Sequence, residues 1–426
     1  MDRQATGRRR WMVVGVSTAV NALAWATRST FALFYVAMLE EFAWGRGPTA
    51  LGYSLSWLGF VGFAPVAGWL SDRWDTRRVV MGGGVILGLA LALTGQVASL
   101  AQYYLCFGML GAAGIAAMLI PSTTIVTRWF VRSRGTAMGV LSAGGPGSAV
   151  VFYPLVAWLI ALLGWRTALV AFGCIVAAAT VLLALLYREP PTDAEGEAPR
   201  AQAASADAKP AAPRASDEAW TLRRALRSLP LWAAFAMTAL GVIGFQIMAT
   251  HQVAHAVDRG FPRSTVVWLF SLGAGCMMAG NLAGGWLSDR LGRGWVFVLG
   301  TVVAILGITC LAVTRGPEDF LLLVLYTVSG FGFGMRIAQL AAIPADVFAG
   351  PHLGAILGVV QAGGGLGGAI GPFLGGWLFD VTGSYRLAFL AAAVAVTGSA
   401  VAAWVAARPA TEELARGGRR ASPVIP

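Results

Sequence analysis

The hexapeptide Gly68-Trp69-Leu70-Ser71-Asp72-Arg73 recurs letter for letter as Gly285-Trp286-Leu287-Ser288-Asp289-Arg290, 217 positions further on. Near the same offset, Gly135-xxx-Gly139-xxx-Ala143-Gly144-Gly145 matches Gly354-xxx-Gly358-xxx-Ala362-Gly363-Gly364. Trp165-Arg166-x-Ala168 is echoed in turn by Tyr385-Arg386-x-Ala388. Three matched segments in one order identify the chain as a tandem duplication. Each half must carry the same number of structural elements.

Working outward from the hexapeptide, each copy closes a long apolar run. Of the 426 residues 57% are apolar and only 12% charged, about half the charge of an average soluble domain. The apolar residues fall in runs of about 18 to 28, enough for a helix to cross a hydrocarbon core about 30 Å thick. Spans are predicted at about 11–39, 49–71, 79–98, 103–127, 136–160 and 165–187, then 230–256, 264–288, 295–314, 319–343, 353–379 and 385–407. The expectation is an all-α membrane protein of twelve transmembrane helices in two pseudo-symmetric six-helix bundles. Its predicted parts are a first bundle at 1–187, a cytoplasmic linker at 188–229, a second bundle at 230–407 and a cytoplasmic tail at 408–426. Within the linker, Trp220 to Leu229 reads as a short amphipathic helix lying on the membrane surface.

Of the 31 Lys and Arg residues, 23 fall on the side that holds both termini, six on the opposite side, and two inside spans. That bias orients both termini to the cytoplasm. The net charge of +11 is spread through short loops, so no nucleic-acid surface is expected. Cys106, Cys174, Cys276 and Cys310 all lie in apolar runs without metal-ligand spacing, so neither a metal site nor a disulfide framework is expected. Arg8-Arg9-Arg10 before an apolar stretch imitates a secretory leader, but the duplication needs that stretch as its first helix. A Gly-x-x-x-x-Gly-Lys loop does not occur, so ATP-driven pumping has no support, and neither an enzyme nor a cofactor is expected.

The two Gly-x-Leu-x-Asp-Arg loops, after the second and eighth spans, resemble the signature loop of the major facilitator superfamily. Gly285 to Arg293 fits that pattern, whereas the first copy has Asp75 where a glycine is usual. Within the superfamily the chain resembles bacterial members of the monocarboxylate porter and oxalate–formate exchanger group. The stretches that carry this are Arg28-Ser29-Thr30-Phe31 followed by Glu40-Glu41-Phe42-Ala43-Trp44, Arg128 to Gly135, Ser228-Leu229-Pro230-Leu231-Trp232, and Leu378 to Tyr385. The resemblance implies the major facilitator fold, a bacterial inner-membrane location and alternating access. It also implies an arginine for carboxylate binding in span 8, where this chain has Ala279-Gly280-Asn281. Either Arg336 replaces that cation, or the substrate is not a simple monocarboxylate.

Arg28 in span 1 and Arg336 in span 10 are the two cations inside apolar runs, and all twenty acids lie in loops, tails or last turns. Arginine does not shed its proton, and an intramembrane charge costs at least roughly 2.5–3.5 kcal/mol. An anionic substrate is the expected partner, held by the paired N–H donors of a guanidinium. Asn281, Tyr35, Gln246 and Gln361 complete the expected substrate-binding set. His251 and His255, four apart in span 7, share a helix face with Asp258 beyond them. His251 and Asp258 are the expected proton-coupling pair of a symporter. Asp72, Arg73, Asp289 and Arg290 are the expected cytoplasmic gate. The expected protein is a monomeric carrier whose partners are a small organic anion, protons and the lipid bilayer. The alternatives are an anion exchanger without proton coupling and an exporter of neutral amphipathic compounds.

Overall fold

The computed structural model describes residues 3–130, 134–188, 220–348 and 353–419. Among them eleven helical segments are long and apolar enough to cross a membrane. One of these, Ala137–Ala184, is 48 residues long and would measure about 72 Å as a straight helix, more than twice a hydrocarbon core. It is interrupted at Gly164, where φ is +74° and ψ is 159°, a backbone conformation open to glycine. The interruption falls between the spans expected at 136–160 and 165–187. The chain is a multi-pass membrane protein, all helical in its described parts.

In the first half the helices are α1 (Arg3–Ser29), α2 (Phe31–Phe42), α3 (Arg46–Arg73), α4 (Thr76–Thr94), α5 (Leu100–Tyr103), α6 (Gly111–Trp129) and α7 (Arg134–Ala184). A π-helical stretch, Tyr104–Leu110, joins α5 to α6. The second half holds α8 (Leu222–Leu226), α9 (Leu229–Asp258), α10 (Arg263–Leu291), α11 (Arg293–Val313), α12 (Phe320–Val347), α13 (Leu353–Thr382) and α14 (Arg386–Arg419). Two compact units result: Met1–Trp44 with Leu51–Asp217, and Gly45–Ala50 with Glu218–Pro426. The first turn of α3 thus groups with the second unit. Of the expected linker, 189–219 lies outside the described residues; α8 occupies the stretch expected to form a surface helix.

Equivalent helices pack together in each unit. Spans 1 and 5 (α1 on α7) correspond to spans 7 and 11 (α9 on α13), and spans 3 and 4 (α4 on α6) to spans 9 and 10 (α11 on α12). Small residues permit the closest crossings, as expected where lipid supplies no hydrophobic drive between helices. A Cβ on Gly280 would stand 2.0 Å from the carbonyl oxygen of Phe331, and one on Gly334 equally close to that of Met277.

The duplicated hexapeptides fold alike. Ser71 Oγ donates to the Gly68 carbonyl and Ser288 Oγ to that of Gly285, each at 2.8 Å. The Arg73 guanidinium lies 4.3 Å from the Trp69 ring centroid, and that of Arg290 4.0 Å from Trp286. Two residues past each arginine the copies diverge. Asp75 has φ −55° and its carboxylate accepts the Arg77 N–H at 3.0 Å, capping α4. Gly292, its counterpart, has φ +87°. The odd residue in the first copy is a helix cap; the glycine in the second answers to backbone geometry.

Candidate functional site

Span 1 is not one continuous helix. Its α1 ends at Ser29, the residue after Arg28, and α2 begins at Phe31. The Ala26 carbonyl accepts from the Thr30 N–H at 3.0 Å, from Thr30 Oγ1 at 2.8 Å and from Ser29 Oγ at 3.2 Å. Hydroxyl bonds of this kind compete with the helical ladder and bend it. The Ser-Thr pair therefore places a joint at the arginine.

Arg28 is buried, with 5% of its surface accessible. Its guanidinium lies 3.8 Å from the Trp57 ring centroid, with Phe60 at 5.3 Å and Trp25 at 5.8 Å. Ring contact holds the plane of the fork by cation–π attraction. Nη2 donates to the Ser56 carbonyl at 3.2 Å, while buried Nε and Nη1 donate to no atom of the described residues. Among the described residues, no carboxylate forms an ion pair with it. Tyr35 stands seven residues on and is fully buried, 5.6 Å from the Phe31 ring, which stacks on Tyr53 at 4.5 Å. Phe31 and Tyr35, four apart in α2, share one side of that helix.

Arg336 is also buried, but in different company. Nη2 donates to Ser399 Oγ at 2.9 Å on α14, and the guanidinium sits 4.7 Å from the Phe297 ring on α11. Ser399 Oγ in turn donates to the Met237 carbonyl on α9 at 2.6 Å. Its Nε has no acceptor among the described residues. Asn281 meets α12 from another side: its backbone nitrogen lies 2.8 Å from where a Gly334 Cβ would be. Residues 334 and 336 project about 200° apart on a helix. Gly334, which packs on Asn281, and Arg336, which bonds Ser399, therefore lie on different sides of α12. Gln246 is buried on α9, close to Gly371 of α13, and Gln361 is exposed on α13.

His251 and Asp258 belong to a polar cluster that includes residues unforeseen from sequence. Arg46 pairs with Asp258 at 2.7 Å and donates to the Tyr385 hydroxyl, with its guanidinium 3.8 Å from the Phe379 ring. Asp380 accepts the backbone N–H groups of Arg46 at 2.8 Å and Gly47 at 2.7 Å, so both its oxygens cap the first turn of α3. His251 lies 5.3 Å from the Tyr385 ring, and His255 5.8 Å from it on another side. Each histidine uses Nε2 on a carbonyl: Pro372 at 2.9 Å and Leu311 at 3.0 Å. A carbonyl only accepts, so both rings carry a proton on Nε2. In the first unit the equivalent acid, Glu41, accepts instead from Arg166 at 2.7 Å and from Trp165.

Arg73 and Arg290 are exposed at the ends of α3 and α10, each over its tryptophan. The side chains of Asp72 and Asp289 lie outside the described residues. Near the second hexapeptide, Arg293 forms an ion pair with Asp346 of α12, a contact the sequence did not announce. Among the described residues no group of histidine, cysteine and acid side chains can hold a metal ion.

The model of the Major Facilitator Superfamily matches residues 14–275 and 252–426. Monocarboxylate transporter 11 of Mus musculus is 30% identical over 89% of this chain and 83% of its own length. The probable sulfoacetate transporter SauU of Cupriavidus necator is 24% identical, over 90% of each chain. Among solved structures, an inward-facing, occupied bacterial homolog of the human lysosomal transporter Spinster superposes with a TM-score of 0.73. It does so at 15% identity, over 94% of this chain and 97% of that one.

Proposed function

We propose, given that this chain belongs to the Major Facilitator Superfamily and is a transporter and not an enzyme, that its cargo is a small organic anion bound at Arg28. The reading is a carboxylate carrier working by alternating access in a bacterial inner membrane, with both termini cytoplasmic. The observation that carries it is the state of the Arg28 fork: buried, stacked on Trp57, and with Nε and Nη1 unsatisfied by the protein. An idle buried donor costs about 1–3 kcal/mol, and more when charged. A carboxylate or sulfonate oxygen arriving at those donors removes that cost and so contributes to binding. The monocarboxylate name of one relative and the sulfoacetate name of another support an anionic cargo.

Arg336 then serves the second unit by tying α9, α11, α12 and α14 together through Ser399 and Phe297, while Asn281 and Gln246 contact substrate on that side. Proton coupling is assigned to His251, with Asp258 holding Arg46. A proton on Nδ1 would place a second cation beside Tyr385, the acceptor of Arg46. That repulsion loosens the grip on the first turn of α3. The Asp72, Arg73, Asp289 and Arg290 set is proposed as the cytoplasmic gate, together with the Arg293–Asp346 pair.

Uptake of radiolabelled carboxylates by proteoliposomes tests the assignment. Arg28→Ala is expected to abolish it, and near-normal uptake removes Arg28 from the site. Collapsing the proton gradient is expected to lower accumulation; unchanged accumulation rejects coupling and leaves the anion site standing.

A further inference from the structure

Several indole nitrogens of this chain donate to the protein. Trp129 Nε1 reaches the Arg188 carbonyl at 2.9 Å, Trp165 Nε1 reaches Glu41 at 2.5 Å, and Trp232 Nε1 reaches the Leu226 carbonyl at 2.9 Å. Trp57 departs from that pattern. Its Nε1 is shielded from solvent and has no acceptor among the described residues. An indole N–H only donates, and when buried it ordinarily finds a partner. Unlike a histidine, the ring has no second tautomer that could relieve the mismatch. Trp57 as a whole is partly exposed, so the idle nitrogen belongs to a side chain that reaches the surface of its unit.

The same ring lies against Arg28. The guanidinium stands 3.8 Å from the Trp57 centroid, and its Nη2 donates to the carbonyl of Ser56, one residue back on α3, at 3.2 Å. The cation is thereby pinned to one turn of α3, with Nε and Nη1 unsatisfied. Cation–π attraction uses the face of the ring. The N–H lies in the ring plane and points out from the edge, so the stack makes no use of it. A phenylalanine, such as Phe60 at 5.3 Å, offers a face without that donor. We infer that Trp57 Nε1 is itself a substrate-binding group, giving the anion a third hydrogen bond beside those of Arg28 Nε and Nη1. The inference rests on the reading that the cargo's charge meets Arg28, and adds to it a residue of α3. A carboxylate or sulfonate has the oxygens for this: each carries lone pairs for more than one donor. An oxygen bound at the edge of the guanidinium lies beside the ring that the guanidinium covers, where the indole N–H serves the same head group.

The test compares the purified full chain in detergent with Trp57→Phe and with a protein carrying β-(3-benzothienyl)alanine at position 57. That isostere of tryptophan has sulfur in place of the N–H and keeps the shape and the stacking face. Affinity is measured by calorimetry for the tightest binder among acetate, propanoate, lactate and sulfoacetate. Both altered proteins are expected to bind it roughly tenfold more weakly, with the thermal midpoint of the isostere form unchanged. In the unsubstituted protein with 15N-labelled indoles, saturation with the acid is expected to move one indole proton resonance downfield. That resonance is expected to be missing from both altered proteins. An isostere that binds as tightly as tryptophan, or indole resonances that the acid leaves unmoved, overturns the proposal; Arg28→Ala still losing the acid would then leave the Arg28 site standing. Near-normal binding by Arg28→Ala, or no binding of any of the four acids, overturns the proposal and the reading beneath it together.

Discussion

Lysine at position 28 keeps a positive charge but loses the flat fork that lies against Trp57. Arg28→Lys is therefore expected to weaken substrate affinity by roughly tenfold, and Arg28→Ala by roughly 100-fold, judged from charged hydrogen bonds of about 1.5–3 kcal/mol. Equilibrium binding of a small carboxylate to the three proteins checks the order. Trp57→Leu should fall between them, because it frees the fork without discharging it. At Arg336 the outcome differs. Ser399 and Phe297 engage that side chain within the second unit, so Arg336→Met should change thermal stability more than substrate affinity. Both cations were legible in the sequence as charges inside apolar runs. Their different surroundings were not, because which side of a helix an arginine faces depends on partners such as Ser399, 63 positions away.

At the scale of the element, the joint in span 1 and the π-helical stretch at Tyr104–Leu110 escape a reading based on apolar length, since both preserve the run while altering its hydrogen bonds. Sequence periodicity sees a span; it does not see where the ladder slips. The cap on the first turn of α3 was hidden for another reason. Asp380 and Arg46 are 334 residues apart, and nothing local to either marks the contact. The loops after the hexapeptides offer a direct comparison. Gly292 holds φ +87°, so Gly292→Asp is expected to cost about 1–2 kcal/mol of stability. Asp75→Gly, at φ −55°, loses a cap that glycine replaces at a cost of only a few tenths of a kcal/mol. Thermal unfolding of the two variants in one detergent should show a clear drop for the first and almost none for the second. Equal drops would mean the loop geometry has been misassigned.

For the whole molecule, the repeat, the twelve spans and the family were legible because the physics of a bilayer acts on length and charge, which a sequence displays openly. The helix pairing within each unit repeats as the duplication requires. Direction of flux and coupling depend on differences between conformations, and no periodicity records them. Orientation is predicted by the 23-to-6 bias of basic residues: a reporter fused after the last residue is expected to be active in the cytoplasm and silent outside. The coupling proposal predicts that His251→Gln transports down a substrate gradient at near-normal rate but no longer responds to a proton gradient. Persistent response to protons in that variant would move the coupling group elsewhere.

In the proposed transport cycle a negative charge on the passenger meets the idle donors of Arg28. That contact is tested most directly by comparing one carboxylate with its own primary amide, a near-isostere without charge, in calorimetric binding to the purified protein. The acid is expected to bind at least about tenfold more tightly than the amide, and Arg28→Ala to erase the difference. Equal affinities in the unsubstituted protein, or a preference that survives Arg28→Ala, would contradict it.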